Sequence, residues 1–306
     1  MLRFIIRRLL ITIPTILVVI TLTWGLIRLA PGNFYSGEKK IAKEIEANIR
    51  AKYGLDKPWY VQYSRTMGHI LRLDFGYSLK YQGKSVNSII ARSLPVSAAV
   101  GLLAYLLALI VGITFGSIAA LKQNSRWDYA SMALAMLGIS IPNFVLGPLL
   151  VLVLSLSLYW LPPARWDGFW SRSIILPVMT LSAIYMAYIA RLTRAGMLEV
   201  LRSDYIRTAR AKGLSEKDVV IRHALRGGLM PVVSFTGPAL AFLLTGTVVV
   251  ERIFALPGLG NYFIQASLNR DEPLILGVVA FIAITMLLMN LLVDIAYAYL
   301  DPRIRY

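Results

Sequence analysis

The chain has 306 residues, of which 57% are hydrophobic, with a formal net charge of +16 and no cysteine. An apolar share above the roughly 45–50% of soluble domains, together with a mean hydropathy of +0.64, places the chain in a membrane, and the missing thiols exclude disulfides, thiolate nucleophiles and cysteine metal sites. His69 and His223 stand far apart without ligand-like neighbours, so no metal site is read, and the basic excess lies mostly in loops beside apolar runs, where topology accounts for it without nucleic acid.

A bilayer core about 30 Å thick takes roughly 20 helical residues to cross. Six stretches meet that requirement: 9–30, 96–121, 132–160, 174–190, 229–250 and 274–300. The chain is therefore read as an all-α membrane protein with six transmembrane helices. Arg3, Arg7 and Arg8 precede the first span, which sets the N-terminus in the cytoplasm. That first apolar run is too long for the core of a signal peptide and no small-x-small cleavage site follows, so it is read as an uncleaved span.

Segment 31–93 then lies outside; it is basic, but long loops translocate largely regardless of charge. Ile41, Ile45 and Ile49 form one stripe of a helix. Gly54 breaks the chain, and Pro58 opens a second helix whose apolar face is Trp59, Tyr63, Met67, Ile70 and Leu71. These read as amphipathic helices on the membrane or packed on the spans, with a docking surface for an outside partner as the sharper alternative.

In the second span Gly112 and Gly116 allow close helix approach. Loop 122–131, with Lys122 and Arg126, faces the cytoplasm. Pro142 falls in an apolar run too long for one straight span and predicts a kink, with Asn143 beside it as a candidate pathway residue. Tyr159, Trp160, Trp166, Trp170 and Tyr262 fit an outer aromatic belt.

Segment 191–228 is the next cytoplasmic loop, and it holds Arg191, Arg194, Arg202, Arg207, Arg210, Lys212, Lys217, Arg222 and Arg226. Residues 197–212 are good helix formers, and Gly213 suits a left-handed helix end. Ser215 with Asp218 three residues on is a helix-start pattern. The second helix is expected to run to Arg226 and stop at Gly227-Gly228. Further on, Pro257-Gly258-Leu259-Gly260 reads as a tight turn or re-entrant piece on the outer side. Asp294 is read as an interfacial acid of the last span, and the tail 301–306 as cytoplasmic.

The run Asp204-Tyr205-Ile206-Arg207-Thr208-Ala209-Arg210-Ala211-Lys212-Gly213-Leu214, with Arg222-His223-Ala224-Leu225 after it, resembles the coupling loop of ABC-importer permeases. Arg207-Thr208-Ala209 stands where the general pattern has Glu-Ala-Ala, and Arg226 stands where it has Pro. This variant is similar to the oligopeptide/dipeptide/nickel branch. Tyr53-Gly54-Leu55-Asp56-Lys57-Pro58, Asp74-Phe75-Gly76-Tyr77-Ser78, Ser140-Ile141-Pro142-Asn143-Phe144, the run 251–260 and Asp301-Pro302-Arg303 resemble the same branch. The long loop after the first span is similar to the B-type subunit of oligopeptide importers.

The resemblance implies a type I ABC importer permease fold in the bacterial inner membrane. Its parts would be the first helix (1–30), a periplasmic loop (31–93), the five-helix transmembrane domain (94–300) and a cytoplasmic tail (301–306). Residues 204–214 with His223 would form the segment that couples to ATPases. Pro142, Asn143, Glu251, Pro257, Gly258 and Gly260 would lie near a pathway or gate. The implied partners are a second, C-type permease subunit, two ATP-binding subunits, a periplasmic peptide-binding protein and membrane lipid. No Gly-x-x-x-x-Gly-Lys-Ser/Thr run occurs, so no cofactor is expected in this chain, and ATP and Mg belong to the partner ATPases. From the residues alone, an ion-coupled secondary carrier is the alternative, although the centres of the six stretches hold no ionisable side chain. The resemblance implies a permease subunit of an ATP-driven oligopeptide importer, with dipeptide or nickel as the alternative cargo.

Overall fold

A computed structural model of the protein describes residues 2–29, 54 and 56–300; the side chains of 2–9, 11, 12, 294 and 296–300 lie outside that description. The Ile41/Ile45/Ile49 stripe, the Arg3, Arg7, Arg8 and Asp294 side chains, and the tail 301–306 therefore fall outside the described residues. The described residues are helical, with one isolated antiparallel bridge, Tyr77 to Ser85. The chain divides into two compact units: residues 1–95 with 258–288, and 96–257 with 289–305.

The first unit contains α1 (Leu2–Leu29), α2 (Trp59–Leu71), the start of α3 (Val86–Leu121), α11 (Leu259–Asn269) and the start of α12 (Glu272–Leu300). Its core joins Ile20 and Trp24 of α1 to Met67 and Ile70 of α2, Val86 and Ile89 of α3, and Leu274 and Val278 of α12. Pro58 is the N-cap residue of α2 rather than a first-turn residue. Trp59 and Leu71 are 66% and 65% exposed, so the buried face is narrower than the expected stripe and centres on Met67 and Ile70. Trp24 meets Tyr63 edge to face at 5.3 Å, an arrangement the ring quadrupoles favour.

Loop 72–85 is fastened by side chains as well as by the Tyr77–Ser85 bridge. Asp74 accepts from the Gly76 N–H at 3.0 Å and pairs with His69 at 3.1 Å. That backbone N–H, then His69, holds its carboxyl below the ordinary value. Asn87 accepts from Phe75 N–H and donates to the Leu73 carbonyl. Asp271 is fully buried and accepts from Ser78 Oγ, from the N–H groups of Leu79 and Lys80, and from Leu274 N–H in the first turn of α12. One carboxylate thus caps a helix and holds the loop; a buried charge is tolerable only with partners of this kind.

The second unit is built around α6 (Ile175–Leu201), which follows a 3-10 turn at Arg172–Ile174. Around it lie the rest of α3, α4 (Arg126–Ser140), and α5 (Asn143–Leu150), which continues as a π-helix over Val151–Ser157. α7 and α8, described below, join α6 to α9 (Met230–Leu244), and α10 (Val248–Ile253) follows. Small residues set the approach of these helices. A Cβ on Gly116 would lie 2.4 Å from the Ala190 carbonyl oxygen, and one on Gly138 would lie 2.1 Å from that of Ala183. Backbones this close need glycine, and small residues are how membrane helices gain contact where lipid competes with every apolar side chain.

Among the described residues, four helical stretches are long and apolar enough to cross a membrane: Val86–Leu121, Arg172–Leu201, Met230–Ile253 and Glu272–Val293. The expected kinked span 132–160 is instead two helices, α4 and α5, bent by 104°. The reason is local. Ile141 and Pro142 are extended, with ψ near 114° and 143°, because proline pushes its predecessor out of the helical region. α4 also begins earlier than expected, at Arg126, since Ser125 caps it. α6 runs eleven residues past the expected end of the span 174–190, so Arg191 and Arg194 lie on a helix rather than in a loop.

Candidate coupling site

α6 ends because Ser203 takes an extended conformation, φ −71° and ψ 155°, and its hydroxyl donates to the Val200 carbonyl at 2.6 Å. The expected helix 197–212 is therefore two helices, with the break at a serine that competes for backbone partners. α7 (Asp204–Ala211) follows. Ile206 and Ala209 are buried on one face, while Asp204, Tyr205, Arg207, Thr208, Arg210, Ala211 and Lys212 are exposed. Full burial of Ile206 contributes about 1.5–3 kcal/mol toward seating this helix.

The turn after α7 closes by hydrogen bonds from Gly213 N–H to Arg210 O at 2.9 Å and from Leu214 N–H to Ala209 O at 3.4 Å. Gly213 has φ +78°. This is the paired-bond helix end that requires a left-handed residue, which glycine supplies without a Cβ clash. Arg210 reaches across the turn to Glu216, with Nε to Oε1 at 2.8 Å and Nη2 to Oε2 at 3.3 Å. That hydrogen-bonded guanidinium holds the Glu216 carboxyl below its ordinary value. A lowered carboxyl keeps its clamp above the ordinary carboxylate range and loses it only as the pH falls through the lowered value. The clamp is therefore constant around neutral pH.

α8 starts at Ser215, whose hydroxyl accepts from Asp218 N–H at 3.2 Å. It runs through Glu216–Asp218, a π-helical stretch Val219–Ala224 and Leu225–Gly228. His223 is half-buried within it. α8 ends at Gly228, within the glycine pair where the stop was expected, and only Leu229 separates it from α9. The glycines also serve packing: a Cβ on Gly196 would lie 2.2 Å from the Gly228 carbonyl oxygen. Ala120 of α3, Met197 of α6, Ile206 and Ala209 of α7, and Val219 and Ala224 of α8 form one core. The segment 204–228 is thus seated on the ends of α3 and α6, with the charged face of α7 outward.

The other sequence candidates lie outside this segment. Pro142 caps α5 at the 104° bend, and Asn143 opens that helix. Glu251 is 2% exposed in α10 and accepts from Ser97 of α3 at 2.7 Å. Pro257 ends the second unit, and Gly258 and Gly260 belong to the first. Gly258 is the N-cap of α11, so Leu259-Gly260 opens an 11-residue helix and not a tight turn. Two acids were missed in the sequence, Asp128 and Asp271. Asp271 carried a readable signal, since Asp-Glu-Pro ahead of a long apolar run is a helix-start pattern.

Comparison with known proteins gives this geometry a family. The family described as "Binding-protein-dependent transport system inner membrane component" matches residues 112–306, and its N-terminal counterpart matches residues 1–101. The oligopeptide transport system permease protein OppB of Salmonella typhimurium strain LT2 is 48% identical over 306 residues, all of both chains. The dipeptide transport system permease protein DppB of Bacillus subtilis strain 168 is 44% identical over 305 residues, 100% of this chain and 98% of the relative. Among solved structures, a chain of the MetNI methionine ABC transporter in an inward-facing conformation shares the fold. Its TM-score is 0.55 at 16% identity, over 70% of this chain and 96% of that one. With a family match over most of its length and relatives of nearly half identity from end to end, the chain belongs to the inner-membrane permease components of binding-protein-dependent transport systems.

Proposed function

We propose that the chain is one permease subunit of an ATP-driven oligopeptide importer. The observation that carries this is the segment 204–214: a short helix with a charged outer face, closed by a left-handed glycine and seated by an apolar core on the ends of two membrane helices. Such a knob has little freedom of its own, so force applied to α7 passes into α3 and α6. In this account Asp204, Tyr205, Arg207, Thr208, Arg210 and Lys212 face an ATP-binding subunit, and ATP and Mg belong to that partner. Ala209 and Ala211 are small positions of the docked helix, Leu214 and His223 flank the dock, and Gly213 fixes the turn. Chain identity to OppB and DppB relatives supports a peptide cargo.

The full assembly would hold a second homologous permease, two ATP-binding subunits and a periplasmic peptide-binding protein, with lipid around the spans. α1, the α4–α5 pair and the four long helices would make six crossings, with both termini in the cytoplasm. Pro142 and Asn143 at the bend, and Glu251 with the 257–260 run, are the candidate gate positions. The test is affinity purification from native membranes in mild detergent, followed by reconstitution with an oligopeptide and its binding protein. Co-purification of ATP-binding subunits and a second permease, with uptake that requires ATP, is the expected result. Uptake that ignores ATP and collapses with the proton gradient would overturn the proposal.

A further inference from the structure

Asp128 stands in the first turn of α4 and is 3% exposed. Arg194 of α6 donates from Nε to one of its oxygens and from Nη2 to the other, both at 2.8 Å. The Asn124 N–H donates to the same carboxylate at 3.0 Å. A two-point guanidinium–carboxylate fork fixes orientation as well as distance. Asp128 is buried and Arg194 is 30% exposed, and an ion pair of this kind adds little stability over a well-packed apolar pair. Geometry is what this pair contributes.

Its position connects the coupling segment to the bend. Arg194 lies two turns before the end of α6, next to Gly196 and Met197, which carry α7 and α8. At the opposite end of α4, Gly138 lies against Ala183 of α6. α4 is thus held to α6 at both ends, by the fork and by a backbone contact. Beyond α4 come Pro142 and α5, whose Gly147 faces Ile253 and Phe254 at the end of α10.

We propose that the Asp128–Arg194 fork is the joint that makes α4 follow α6, so that displacement of α7 reaches the bend at Pro142. Both are positioning residues of transport and touch neither peptide nor nucleotide. The inference rests on the ATP-driven importer proposed above. The backbone contact at Gly138 holds one end of α4, and the fork holds the end nearer α7 and α8.

The test uses the complete transport complex in proteoliposomes, with peptide uptake and ATP hydrolysis measured in the same vesicles. Asp128→Asn keeps the size of the side chain and an acceptor for Asn124, but removes the charge. Uptake per ATP hydrolysed should fall roughly tenfold, as for a typical coupling free energy, while hydrolysis continues. Arg194→Lys keeps the charge without the fork and should lower the ratio by less; it decides the matter if Asp128→Asn does not assemble. An unchanged ratio in the variants that assemble, whatever their total rate, would overturn the inference, since a purely structural role lowers uptake and hydrolysis together. Absence of ATP-dependent uptake by the unaltered complex would instead strike the importer proposal itself.

Discussion

At the scale of single residues, the decisive positions are those where backbone demand and side chain meet. Gly213 at φ +78° is one. A side chain in that conformation costs about 1–2 kcal/mol, and a β-branched one suffers most. Gly213→Val should therefore distort the turn that aims α7, cutting peptide uptake several-fold while the chain still inserts and is recovered from membranes at normal yield. Uptake assays on cells with matched membrane levels check this; full transport by the variant would separate the turn from coupling. Gly213 was legible in the sequence because it followed a run of helix formers. Ser203 was not, because a serine inside such a run ends a helix only when the neighbouring packing rewards the break. Asp128 and Arg194 were equally hidden, since a pair 66 residues apart along the chain leaves no local pattern.

At the scale of elements, hydrophobic length located the membrane helices, and proline located the irregularity at 142. Length could not distinguish a kink from a break, because a proline fixes only its own φ and biases its predecessor. The 104° break starts from the extended Ile141 and Pro142, and packing holds its two sides: Gly138 lies against α6, and Gly147 faces the end of α10. Gly227-Gly228 was legible as the helix end it is; its second use, the close contact of Gly228 with Met197 of α6, needed the fold. The bend has a topological consequence. If α4 and α5 together make one crossing, six crossings result and both termini face the cytoplasm. Tags at the two ends should then be accessible only after the cytoplasmic side is opened. A pair that enters and leaves on one side would give an external C-terminus, and such a tag would be reached from outside.

At the scale of the whole molecule, the basic excess and the apolar runs describe one design. Cations gather at helix ends and in the segment 191–228, which supplies an exposed charged face on α7. The membrane class and this segment were legible because each rests on short-range pattern. The seating of α7 on α3 and α6, and the fastening of loop 72–85 by Asp271, rest on contacts distant along the chain and needed the fold. Because the chain contains no cysteine, a single Thr208→Cys on the exposed face of α7 gives one unique thiol in this subunit. Treatment of the native complex with a short thiol-directed photo-cross-linker at that position tests the coupling claim most directly. The account predicts a product joining this chain to an ATP-binding subunit, in a yield that changes when ATP is added. A chain that cross-links to no ATP-binding subunit, although those subunits co-purify with it, would contradict docking through α7.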